Sequence, residues 1–146
     1  LVEAFVNKYN FTPKIDFETN ATLMPDERWV RLYNATFTTS PKLTTNGDPE
    51  AKTYKPEVLK YHKEIGSGFK FVINDPAADI NEIWRKYVED EEGINLDCDR
   101  IWFMPCAGSR EEHIANAEAV VEYAKSMHVH FSPRLHLLVW DKALKV

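Results

Sequence analysis

Apolar and polar positions alternate between two periods along the chain. Residues 1–9 carry Leu1, Ala4, Phe5 and Tyr9 at helical spacing, and Pro13 stops the pattern. Residues 14–20 alternate and predict a strand. Trp29, Val30, Leu32 and Tyr33 form an apolar, β-branched run, and predict a second strand within residues 28–37. A polar loop with Pro41, Gly47 and Pro49 follows. Pro56 opens a helix over 57–65, and Gly66-Ser67-Gly68 ends it. Residues 69–73 are a third strand. Asp79 with Glu82 marks a helix start, with Ile80, Ile83, Trp84 and Tyr87 inward as far as about residue 89. The acidic run 89–92 reads as a solvated end. Residues 100–104 are a fourth strand, stopped by Pro105. Ser109-x-x-Glu112 is a capping box before a long helix striped by Ile114, Ala117, Val120, Val121 and Ala124. The apolar run 135–140 predicts a fifth strand. Strands separated by helices argue for one α/β domain with a mainly parallel sheet, open or closed into part of a barrel.

In such folds chemistry collects at the C-terminal ends of the strands. Those ends carry Glu18-Thr19-Asn20, Thr38-Thr39-Ser40-Pro41-Lys42, Asn74-Asp75 and Met104-Pro105-Cys106-Ala107-Gly108. Each also has a plain structural explanation: turn chemistry for Glu18, Asn20 and Asp75, a solvated turn for Lys42, capping for Ser109. His136 stands inside the expected fifth strand, where a buried imidazole needs a partner or a polar cavity. His128 and His130 share an alternating face, but no further ligand with metal spacing joins them. Phosphate-loop, dinucleotide, nucleophile-elbow and zinc-helix motifs are absent from the sequence.

Composition changes this picture by exclusion. The 146 residues hold 18 Lys plus Arg against 23 Asp plus Glu, a formal charge of −5. That argues against a nucleic-acid partner. No apolar run approaches the roughly 20 residues of a membrane helix, so no membrane partner is expected. Cys98 and Cys106 form neither a disulfide framework nor a zinc or iron–sulfur spacing, and read as reduced thiols of a cytoplasmic protein.

Taken in order, Glu18-Thr19-Asn20, Ser40-Pro41-Lys42, Phe69-Lys70-Phe71-Val72, Phe103-Met104-Pro105 and Arg134-Leu135-His136-Leu137-Leu138 resemble the 7-carboxy-7-deazaguanine synthase family. The resemblance covers nearly the whole chain. It implies the C-terminal part of a partial (β/α) barrel of the radical S-adenosylmethionine (SAM) type. It also implies a lyase that converts 6-carboxy-5,6,7,8-tetrahydropterin to 7-carboxy-7-deazaguanine on the route to queuosine. The implied cofactors are SAM and a [4Fe–4S] cluster, with a magnesium ion left open. The implied partners are the pterin, a second copy of the full-length protein, and a reductant such as flavodoxin. Carried over by residue, Glu18, Asn20, Ser40 and Lys42 would bind SAM, and His136 and the Val146 carboxylate the pterin.

The sequence departs from the family in four places. The Cys-x3-Cys-x2-Cys cluster motif and the Gly-Gly-Glu-Pro-like SAM segment are absent. Ala21 stands where the family more often has Gly, and the tail lacks the usual Gly, which weakens a role for Val146. The chain is therefore expected to be the C-terminal part of a longer enzyme. Alone it should bind no iron, be inactive, and be unstable or need a partner, because its sheet would have a raw edge. Two alternatives remain: another radical SAM enzyme of the activase type, and a cluster-less, non-catalytic binding module.

Overall fold

The computed structural model describes residues 2–31, 33, 35–89 and 94–142. Its elements run α1 (Val2–Tyr9), β1 (Asp16–Thr19), α2 (Glu27–Arg31), β2 (Thr36–Thr39), a 3-10 turn (Thr44–Asn46), α3 (Glu50–Thr53) and α4 (Pro56–Glu64). They continue with β3 (Gly68–Ile73), α5 (Pro76–Ile83) and a π turn (Trp84–Val88). A second 3-10 turn (Cys98–Arg100), β4 (Ile101–Pro105), α6 (Arg110–Ser126), β5 (His130–Phe131) and α7 (Leu135–Trp140) complete the chain.

The five strands form one sheet in the order β1-β2-β3-β4-β5, and every pair is parallel. The α/β class and the parallel sheet are as the sequence predicts. Strand order equals chain order, so each crossover moves one place in the same direction. Crossovers of one hand and one direction lay their helices on one face. The core follows: Phe69, Phe71, Ile73, Ile101 and Phe103 pack against Val58 and Leu59 of α4, Ile80 and Ile83 of α5, and Val120 and Ala124 of α6. This winding is consistent with a partial (β/α) barrel. Among the described residues no helix is long and apolar enough to cross a membrane.

Two expected strands are helices. Trp29 lies in α2, not in a strand. Asp26 Oδ1 accepts from Arg28 N at 2.9 Å, which starts the helix, and Glu27 pairs with Arg31 one turn later at 3.0 Å. Parallel pairing of β1 with β2 requires a crossover there, and α2 lies within it. Leu32 lies outside the described residues. The run 135–140 is α7, because the sheet's last place is already taken by β5, which pairs His130 with Trp102 and Phe131 with Phe103.

Smaller corrections concern helix ends and faces. Asp75, not Asp79, caps α5, accepting from Ala77 N and Ala78 N at 3.1 and 3.2 Å, with Pro76 at the first helical position. The inward stripe of α6 is His113, Ala117, Val120 and Ala124, whereas Ile114 is exposed. Most of the acidic run, residues 90–92, lies outside the described residues.

Candidate functional site: the uncovered sheet face and its rim

Strand alternation places Phe17, Phe37, Thr39, Phe69, Phe71, Ile101 and Phe103 under the helices. Their neighbours Glu18, Thr38, Lys70, Val72, Trp102, Met104 and His130 share the opposite face, half-buried or exposed. On that face Lys70 Nζ reaches Glu18 Oε1 at 2.7 Å across the intervening β2. Glu18 is largely exposed, so the pair contributes at most about 1 kcal/mol to stability. Its effect is to hold a lysine over the sheet. Trp102 lies across Gly68, where an added Cβ would stand 3.0 Å from the indole. His130 stacks on the same indole at 4.7 Å and meets the Asp99 carbonyl through Nε2 at 2.9 Å.

The rim loops above this face are tied down from below. Ser40 donates its hydroxyl to the Lys70 carbonyl at 2.9 Å, and its amide to the Thr19 carbonyl at 2.6 Å. One serine thus joins the ends of β1 and β2 to the middle of β3. Lys42 is half-buried between buried Pro41 and Leu43. The next two residues are fastened to α5. Glu82 accepts from Thr44 N at 3.0 Å and from the Thr44 hydroxyl at 2.5 Å. Asp79 accepts from the Thr45 hydroxyl at 2.5 Å. The other Asp79 oxygen takes Asn74 N and Asp75 N at 2.7 and 2.9 Å. Burial pushes the Glu82 carboxyl up, but bonds from Thr44 and Lys86 outweigh it and hold it below its usual range.

Asn20 accepts from Thr22 N and from the Thr22 hydroxyl, at 3.3 and 2.8 Å, so its oxygen shapes the loop after β1. Ala21 next to it is fully buried and has φ of 55°. That is left-handed space, which is the physical reason a glycine suits the position.

The expected site residues therefore divide. Glu18, Asn20, Ser40 and Lys42 lie on β1 or the loops after β1 and β2, at one end of the sheet. His136 is exposed on α7 rather than buried in a strand, so the burial argument for it fails. Val146 lies outside the described residues. His128 sits in a turn with φ of 55°, away from the ladder that holds His130. Sequence reasoning passed over Lys70 as a site residue. Its signal was a cation at an alternating position in an otherwise apolar strand.

A [4Fe–4S] cluster does not fit the donors present. Cys98 and Cys106 lie at opposite ends of β4, whose five residues alone span roughly 16 Å. Among the described residues no three His, Cys, Asp or Glu side chains are grouped to hold a metal ion. The donor set for SAM is different in kind: a half-buried lysine, an anchored serine and a polar sheet face suit a zwitterionic, hydroxyl-rich ligand.

Comparison with known proteins adds one relationship. The chain is 28% identical over 132 residues to a 7-carboxy-7-deazaguanine synthase of Pyrobaculum aerophilum. The chain is a distant relative of that protein. The match takes in 88% of this chain and 53% of the relative, so the chain spans about half of the relative's length. No family model and no solved structure matches the chain.

Proposed function

We propose that this chain forms part of the SAM- and substrate-binding wall of a radical SAM carbon–nitrogen lyase of the 7-carboxy-7-deazaguanine synthase type. The observation that carries the proposal is the one-sided parallel sheet. Helices cover one face, and the other presents Glu18 and Lys70 beneath the rim loop that holds Ser40 and Lys42. The distant relative, a 7-carboxy-7-deazaguanine synthase by name, supports a related function; the substrate, 6-carboxy-5,6,7,8-tetrahydropterin, is what the family resemblance implies.

In this reading Lys42 meets the methionyl carboxylate of SAM by charge, and Ser40 offers a hydroxyl lone pair, its own O–H being donated to the Lys70 backbone carbonyl. Glu18 and Asn20 border the same ligand, and the exposed His136 imidazole faces the pterin. When bound and reduced, SAM supplies the radical that starts such chemistry; the protein orients the reactants and excludes water. The cluster ligands belong to a part of the protein other than these residues.

The test is a SAM titration of the complete, anaerobically prepared protein, followed by turnover with the tetrahydropterin. Saturable SAM binding and release of ammonia with the deazaguanine product are expected. Absence of SAM binding overturns the reading. A second reading, a cluster-less binding module, rests on the separation of Cys98 from Cys106. It predicts a start codon directly before Leu1 and no three-cysteine loop in the upstream reading frame.

A further inference from the structure

Lys70 touches two of the proposed SAM ligands, each with a different group. Its ammonium meets Glu18 Oε1 at 2.7 Å. Its backbone carbonyl accepts the Ser40 hydroxyl at 2.9 Å. Glu18 is on β1 and Ser40 follows β2, whereas Lys70 is the third residue of β3, the middle strand of the sheet. One residue of the central strand thus connects two side chains that arrive from different parts of the chain. Local sequence around Lys70 does not announce this, since Glu18 is 52 positions away.

The course of the lysine is set against its neighbours on the open face. Trp102 pairs in register with Lys70 on the β4 side and lies over Gly68, 3.0 Å from where a Cβ would stand. His130 stacks on that indole at 4.7 Å. These rings occupy the β4 and β5 side, and the lysine runs the other way, over β2 to Glu18. The Lys70 side chain is 20% exposed and that of Glu18 71%. The cation is therefore the settled partner and the carboxylate the free one. A carboxylate so exposed would otherwise sample its rotamers. An ionised carboxylate accepts at both oxygens, so Oε2 can receive a ligand donor while Oε1 is held. Ser40 has its O–H committed to a carbonyl, so toward a ligand it can only accept.

We propose that, given the SAM-binding reading above on which this rests, Lys70 is a positioning residue for SAM. It fixes Glu18 through its ammonium, and Ser40 through its main chain, before the ligand arrives. SAM carries hydrogen-bond donors in its ammonium and its ribose hydroxyls, and two fixed acceptors suit such a ligand. The ion pair is too exposed to matter much for stability. Its effect falls on binding: a side chain that is already immobilised need not be ordered in the complex, which is worth about two- to tenfold in affinity.

The test is calorimetric titration of SAM into the complete, anaerobically prepared protein and its variants. Lys70→Met keeps the stem and the carbonyl bond to Ser40, and removes only the charge. It should weaken SAM binding about two- to tenfold and leave the melting temperature nearly unchanged. Lys70→Arg keeps a cation and should recover most of the affinity. Glu18→Gln should weaken binding as well. Lys70→Met added to Glu18→Gln should weaken it no further, because the lysine acts through the carboxylate. Lys70→Gln takes the place of Lys70→Met in this cycle should the latter fail to fold. A parent protein that binds no SAM overturns the SAM-binding reading, and the role of Lys70 with it. A parent that binds SAM while Lys70→Met binds it equally well, or while the two losses simply add, overturns the role of Lys70 alone.

Discussion

At the scale of single residues, two positions on the rim make opposite demands. Ala21 is held in left-handed space by the turn after β1. An L-residue there costs about 1–2 kcal/mol. Glycine would relieve that, but would lose a buried methyl, about 0.8 kcal/mol, and add roughly 0.5–1 kcal/mol of unfolded-state entropy. These nearly cancel, so Ala21→Gly should leave urea-denaturation stability within about 1 kcal/mol of the parent. Ala21→Val adds branching in the same conformation with no free space, and should cost more than about 2 kcal/mol. A large gain from glycine would mean the left-handed strain exceeds this estimate, and a loss beyond about 1 kcal/mol would mean the turn relaxes in solution. In the proposed function Lys42 bears on binding rather than on stability. Lys42→Ala should weaken SAM affinity by roughly 1.5–3 kcal/mol, the worth of a charged hydrogen bond, and leave the melting temperature nearly unchanged. Calorimetric titration of both proteins checks this, and equal affinities would remove Lys42 from the site.

Elements show where a linear pattern is enough and where it is not. Strands β3 and β4 were legible because alternation and boundary residues agreed, and α6 because Ser109 announces it: its hydroxyl accepts from Glu112 N at 3.2 Å. The returning half of that box differs, since Glu112 accepts from Gly108 N at 2.6 Å. The runs around Trp29 and over 135–140 were misread as strands because a short apolar segment has no period of its own to decide between helix and strand. What decided them is topology: a crossover was needed in one place, and the ladder was full in the other. Lys70 was missed for a related reason, since its importance depends on which face the helices leave bare. The rim loops depend on α5 in a way no local pattern shows, because Asp79 joins Thr45 to Asn74 and Asp75. Asp79→Ala leaves two backbone amides and a hydroxyl without their acceptor, and should cost about 3–5 kcal/mol, like breaking a buried charged network. Asp75→Ala removes only a helix cap, about 0.5–2 kcal/mol. Denaturant unfolding of the two variants should rank them so; equal losses would mean Asp79 acts only locally on α5.

For the whole molecule, the helix-covered side of the sheet contains two imidazoles that folding has taken out of water. His62 is 1% exposed, meets Ser67 Oγ through Nδ1 at 3.0 Å, and has no partner at Nε2. Burial lowers its pKa, as burial and the Arg134 and His136 charges lower that of His113. In the unfolded chain both groups titrate near 6.5. Below that value the unfolded state binds more protons than the native state, so acid favours unfolding. Their contribution to stability is therefore complete above about pH 6.5 and is lost as pH falls through the native pKa values. Glu82, also lowered, acts in the same direction, but only below its unfolded value of 4.5. The interval between these two values isolates the histidines. Thermal unfolding should show the melting temperature falling steadily from pH 7 to pH 5. His113→Gln, which cannot take up a proton, should flatten that slope while lowering the plateau above pH 7. An unchanged slope in both His113→Gln and His62→Gln would show that neither imidazole is held neutral by the fold, and that water reaches the helix-covered side.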